Sequence, residues 1–287
     1  MLAPPKRRRF VPGRVGNLAA LGVAGVAVAA AAAIWFVMSG DTQHAPSAAR
    51  DNTVRTVDVD RTTAQAVRWV QTNVAKDTTV FAPSSLLADL RRTGGPQAAA
   101  VPTTGGEPAA GLVLSTPSLR TDAAAQPAVA SVIAASLPVA QFGAGASRVE
   151  VRQVSPDGLA NLQQRRMQDL GFRKLAGTEL LRNPHVQVSA DARDQLARGD
   201  LDLRAETLLA VVANSTDVRV VSIVDDPAEE GFGMPARTVV VSVARHAPLD
   251  AAVAGIPGAA KPTVTAPSGD QQQLSWPLSV TPLETLQ

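Results

Sequence analysis

Between Arg14 and Asp41 the chain carries no charged side chain, and the run Leu18 to Met38 reads LAALGVAGVAVAAAAAIWFVM. About 20 apolar residues in helical rise cross the ~30 Å hydrocarbon core of a bilayer, where a helix satisfies its own backbone hydrogen bonds. One membrane-spanning helix is therefore predicted at 18–38. Lys6, Arg7, Arg8, Arg9 and Arg14 precede it, so the positive-inside bias makes residues 1–17 a cytoplasmic tail and sends the remainder outward. Trp35 and Phe36 sit at the outer interface. A cleaved signal peptide, the competing reading, has a shorter apolar core of about 7–15 residues and a small-residue cleavage site. This run is longer, and no such site follows it.

Topology changes what the charge means. The sequence pI of about 9.5 suggests a nucleic-acid partner. Setting aside the five N-terminal cations leaves 22 Lys and Arg against 25 Asp and Glu, so the exported part is mildly acidic and no nucleic-acid partner is expected. The chain has no cysteine, which excludes disulfides, thiolate metal sites and a cysteine nucleophile.

The exported part opens with a polar stalk at 39–57. In the stretch 58–155, Asp60 offers an N-cap to a helix bearing Ala66, Val67, Val70 and Val74 with Trp69 beside them. TTVFAP is a strand. Ser84 caps SLLADLRRTG, stopped by Gly94, and the run Gly94–Gly111 is a loop by composition. LVLST is a strand, an Ala-rich helix covers Ser118–Leu137, and PVAQF is another strand. Strands alternating with helices predict a mainly parallel α/β sandwich.

PVAQFGAGASRVEVRQV (Pro138–Val154) raises the question of a phosphate loop. Such a loop must lead into a helix N-terminus, where free N–H groups hold the anion. Gly143 and Gly145 lead instead into the alternating run SRVEVRQV, so a tight turn between strands is predicted.

From 156 to 250 the pattern predicts an α+β subdomain. DGLANLQQRRMQDLGF and RKLAGTELLRN read as helices broken at Gly171. VQVS is a short strand, Ser189 caps ADARDQLARG, and LRAETLLAVVANS is amphipathic. VRVVSIV and RTVVVSVAR are the strongest strands and flank the acidic loop DDPAEEGFGMPA. Residues 251–287 are punctuated by proline, with TVTA and QLSWPLSV as edge strands. The fold class is thus α/β: one N-terminal membrane helix, a mainly parallel α/β sandwich and a second α+β subdomain.

Four constellations bear on chemistry. His44, His185 and His246 are too scattered for a local metal motif. Asp225, Asp226, Glu229 and Glu230 form the densest carboxylate group, a candidate metal or acid–base site set against a solvated hairpin loop. Ser84, Ser85 and Ser115 follow strand-like runs, but none stands in a nucleophile elbow. Arg165, Arg166, Arg173 and Lys174, with Arg91 and Arg92 as a second group, offer donors to an anionic ligand, set against a solvated helix face.

Two segments carry a resemblance. Trp69 through DTTVFAPSSLLADLRRTG to LVLSTPSLR and PVAQFGAGASRVEVRQV resembles the extracytoplasmic segment of actinobacterial membrane proteins related to dolichyl-phosphate-mannose-protein mannosyltransferase-type glycosyltransferases. ELLRNPHVQVSADARDQLARGDLDLRAETLLAVVA resembles a helical module that follows that segment. Those enzymes act through a multi-helix membrane portion that this chain lacks, so the resemblance implies an accessory domain and carries over no catalytic residue. The expectation is a single-pass protein of the cell membrane, its C-terminal region outside. It would act as a non-enzymatic binding or accessory module, with an envelope protein or anionic envelope polymer as partner and no cofactor. The alternative is an enzyme processing envelope glycan or peptide.

Overall fold

The structure, a computed structural model, describes residues 48–92, 95–104, 109–268 and 270–280. The predicted span Leu18–Met38 and the cations Lys6, Arg7, Arg8, Arg9 and Arg14 lie outside these residues. No helix among the described residues is long and apolar enough to cross a membrane. The described residues form one compact unit, mixed α/β, with two five-stranded sheets and eight α-helices.

Helix α1 (Ala48–Asn73) starts well before the predicted cap at Asp60, so residues 48–57 of the predicted stalk are helical. Pro46 is the last breaker, and neither glycine nor proline interrupts the chain again before Pro83. The predicted stripe Ala66, Val67, Val70 and Val74 is buried, with Trp69 beside it. Strand β1 (Thr79–Ala82) follows, then a 3-10 turn and the short helix α2 (Leu87–Arg91). Ser84 opens that turn without capping it. Strand β2 (Gln97–Ala100) lies inside the predicted loop. Its run of alanines carries no alternation, and as a sheet edge it is asked to bury little.

All five residues of β3 (Gly111–Ser115) are buried, as a central strand covered on both faces requires. The single Ala-rich helix predicted after it is two: α3 (Pro117–Ala125) and α4 (Pro127–Ala134). Pro127 cannot continue a helix, but it starts one well. Strands β4 (Ser136–Phe142) and β5 (Val149–Val154) complete a sheet of order β2-β1-β3-β5-β4. This sheet is mixed rather than mainly parallel. β1 runs parallel to β2 and β3, whereas β5 is antiparallel to β3 and β4. For β4 and β5 the cause is the glycine turn itself. Gly143 and Gly145 take φ of +66° and +55°, and so short a connection can join only antiparallel neighbours. α1 covers one face of this sheet; α3 and α4 cover the other.

Helix α5 (Leu159–Arg182) is unbroken through Gly171 and about 36 Å long. Then come β6 (Val186–Val188), α6 (Ala190–Arg198), α7 (Leu203–Ala213), β7 (Val218–Val224), β8 (Thr238–Val243), α8 (His246–Ala254), β9 (Thr263–Ser268) and β10 (Gln271–Ser275). Ser189 caps α6 as predicted, its Oγ accepting from the Ala192 amide at 3.3 Å. The second sheet has the order β6-β7-β8-β10-β9, so β10 is interior and only β9 of the C-terminal pair is an edge strand. Leu180, Leu196, Leu209 and Leu249, from α5, α6, α7 and α8, pack on Val220, Val241 and Leu274 of one face. The opposite face presents Arg219, Ser242 and Gln271, aligned across β7, β8 and β10.

At the crossing of α5 and α6 the backbones touch. A Cβ on Gly177 would stand 2.3 Å from the Leu196 carbonyl oxygen. Gly177→Ala is therefore expected to destabilise the fold by about 1–3 kcal/mol. A urea midpoint at the wild-type value would show that the helices separate without cost.

Candidate functional site

The α5 cations do not form one patch. Arg165 donates to Asp157 Oδ2 at 2.7 Å and to Ser155 Oγ at 2.6 Å. Half-buried Arg166 donates to the Gln153 side chain at 3.2 Å; burial lowers its pKa to about 10, and it stays cationic at neutral pH. These two clamp the first half of α5 to the mixed sheet. Buried Arg173 donates to the Gly199 carbonyl at 2.8 Å and pairs with Asp169, which ties the second half to α6. Lys174 is exposed, its stem beside Gly199. Arg91 donates to the Ala98 carbonyl at 2.9 Å, and Arg92 pairs with Asp89 at 2.6 Å.

The acidic loop likewise sends its carboxylates in different directions. Asp225 is exposed and accepts from Gln195 at 3.3 Å; burial of its carboxyl and the nearby charges of Asp200 and Glu230 raise its pKa. Glu230 is exposed too. Asp226 turns the other way, accepting from the Trp69 indole N–H at 2.6 Å and from the Ala228 amide at 2.9 Å. Glu229 is buried and pairs with Arg237. The four do not assemble one oxygen cage, and no group of three His, Asp or Glu among the described residues is arranged to hold a metal ion. Nor is the segment a loose, solvated hairpin. Pro227–Glu229 is a 3-10 turn, and Ala228 and Met234 pack against the core of the mixed sheet.

The polar centre that results was not legible as a motif. Arg237 enters at the start of β8. Its Nη1 donates to the carbonyls of Asn73 at 3.1 Å and Trp276 at 3.0 Å, and its Nη2 donates to Glu229. Its guanidinium carbon lies 5.9 Å from the centre of the Trp69 ring, which meets Phe142 edge-on. One side chain thus joins the end of α1, the acidic loop and the segment after β10. Beside it Asp202 caps α7 and binds Arg204, which donates to the Pro277 carbonyl at 3.0 Å. Burial opposes the charge on Asp202, but the hydrogen bonds and charge of Arg204 hold its pKa below the ordinary carboxylate value.

Two groups here titrate far from their usual range. Burial, opposed by Arg237, raises Glu229 to about 7. Glu206, on α7, is 1% exposed, and neither carboxylate oxygen has a hydrogen-bond partner among the described residues. Burial raises it to about 9; Arg173 opposes the shift, and Asp202 and Asp169 add to it. Its position three residues before Leu209 on the buried stripe was the available signal. Grooves of about 470 Å³ between α1 and α2 and about 600 Å³ between α5 and α7 touch neither Glu229 nor Arg237, but Glu206 stands in the wall of the second. His185 meets Asp217 and His246 meets Gln272, each at 2.8 Å, so these two imidazoles serve separate contacts. His44 lies outside the described residues. Ser115 is buried, with no partner for its hydroxyl among the described residues.

Below about pH 7 at Glu229, and below about pH 9 at Glu206, the native protein holds protons that an unfolded chain, with a carboxyl pKa near 4.5, releases; above about pH 7 Glu229 is the ionised partner of Arg237. Their contribution to stability is therefore fullest below about pH 4.5 and is lost as pH rises through about 7 for Glu229 and about 9 for Glu206. Glu206→Gln is expected to raise Tm at pH 8 by about 2–4 °C and to flatten the profile above pH 7; a profile parallel to wild type would show that the carboxyl is not protonated in the fold. No family model, no curated protein and no solved structure matches this chain.

Proposed function

We propose that this chain is a single-pass, membrane-anchored protein whose extracytoplasmic region is a non-enzymatic binding or accessory module of the cell envelope. The observation that carries the reading is the outward face of α5, where Met167, Phe172 and Leu175 are 67%, 62% and 62% exposed. Large apolar side chains gathered on one helix face, with polar residues around them, suit the centre of a protein-binding surface. The acid, base and cation candidates favour no reaction over this. Glu229, Arg237 and Arg173 are buried in contacts that hold the fold together. Because most of the α5 cations are engaged internally, an envelope protein suits the module better than an anionic polymer. The resemblance to an extracytoplasmic segment of mannosyltransferase-type proteins belongs to the same proposal: an accessory domain working apart from a multi-helix catalytic portion.

Crosslinking in intact cells, followed by capture of the full-length protein, tests this reading. A partner recovered with wild type and lost with Leu175→Glu, at unchanged expression, is the expected result. Equal recovery from both would remove α5 from the interface. A reporter fused after residue 287 that works only in the cytoplasm should be silent; if it is active, the topology is wrong.

A further inference from the structure

We infer that the face of α5 centred on Gly171 pairs with the same face of a second copy of this chain, the two helices running antiparallel about a two-fold axis through Gly171. The inference rests on the reading of α5 as a binding face and names its occupant.

Gly171 is the first argument. A glycine in the middle of an exposed helix destabilises it by about 1 kcal/mol relative to alanine. Among the described residues nothing explains the choice, because a Cβ built there meets no atom within 4 Å. A second backbone crossing at this point does explain it, since only glycine lets two helices approach so closely.

The second argument is self-complementarity. Met167, Gly171 and Leu175 form one row at a spacing of four, a ridge with a dip at its centre, and rows of this kind interlock when helices cross. An isologous interface must match itself under a two-fold rotation. About Gly171 that rotation sets Met167 against Leu175 of the other copy, large apolar against large apolar.

Charge fixes the direction. The same rotation places Lys174 opposite Gln168 and Glu179 opposite Gln163, so each charged residue on the outward face meets a neutral one. A parallel pair in register would set Lys174 against Lys174 and Glu179 against Glu179. Three large apolar side chains from each copy cover less than a standard interface, so the association is weak and reversible.

The absence of cysteine makes the test direct, because one introduced thiol reports alone. In membranes containing the full chain, Gln168→Cys and Lys174→Cys co-expressed should oxidise to a disulfide-linked dimer at least about tenfold more than Gln164→Cys, because the rotation brings these two positions together while Gly171 keeps the crossing close. Gln168→Cys and Lys174→Cys should each fail alone. Adding Leu175→Glu should abolish the product without lowering Tm. A dimer from Lys174→Cys alone would overturn the antiparallel arrangement. No dimer from the co-expressed pair, with a different protein still captured in a Leu175-dependent way, would overturn self-pairing and leave the binding-module reading standing. If neither is seen, both fail.

Discussion

The two sheets are held in one body by a buried ion pair, Arg237 with Glu229, placed where three chain segments meet. Replacing such a pair with apolar residues is often neutral, whereas removing one partner costs about 3–5 kcal/mol, because the other is left charged and buried. Its value here is positional. Arg237 reads the carbonyls of Asn73 and Trp276 and the face of Trp69, so the end of α1 and the segment after β10 dock in one arrangement. Trp69 is fixed in turn by its indole bond to Asp226. An apolar junction of similar volume would supply burial without this choice of register.

Helix α5 is the second connection. Arg165 and Arg166 tie its first half to the mixed sheet, and Arg173 and Leu180 tie its second half to α6 and the second core. The cations that stood out in the sequence as a group are spent on opposite ends of one strut. What remains outward between these attachments is Met167, Gly171, Phe172 and Leu175. The face proposed for binding is thus presented on a helix held at both ends, and little conformational freedom would be lost when a partner docks.

Much of the fold was written in local pattern. β-branched runs such as VRVVSIV and TVVVSV, the cap at Ser189 and the turn at Gly143 are decided within a few residues, and the structure keeps them. What local pattern could not give was pairing. The antiparallel placement of β5 against β3, the interior place of β10 and the edge strand β2 depend on partners far away in sequence. The polar centre was hidden for the same reason. Asp226 and Glu229 read as part of a solvated loop, and Arg237 as no more than the first residue of a strand, until Asn73 and Trp276 are set beside them. Gly171 misled in the opposite direction, because a glycine that looks like a break costs too little to interrupt a helix anchored at both ends.

The segment after β10 carries a consequence for how the chain comes to be folded. Leu278 lies in the core of the first sheet, and its backbone bonds to Asn73 and Ala75, some two hundred residues upstream. A chain delivered N-terminus first presents β1 to β5 early, but that core stays incomplete until Leu278 and Val280 have arrived. The earliest-made sheet is thus among the last to be sealed. Until then its apolar face is a natural client for chaperones and a target for proteases.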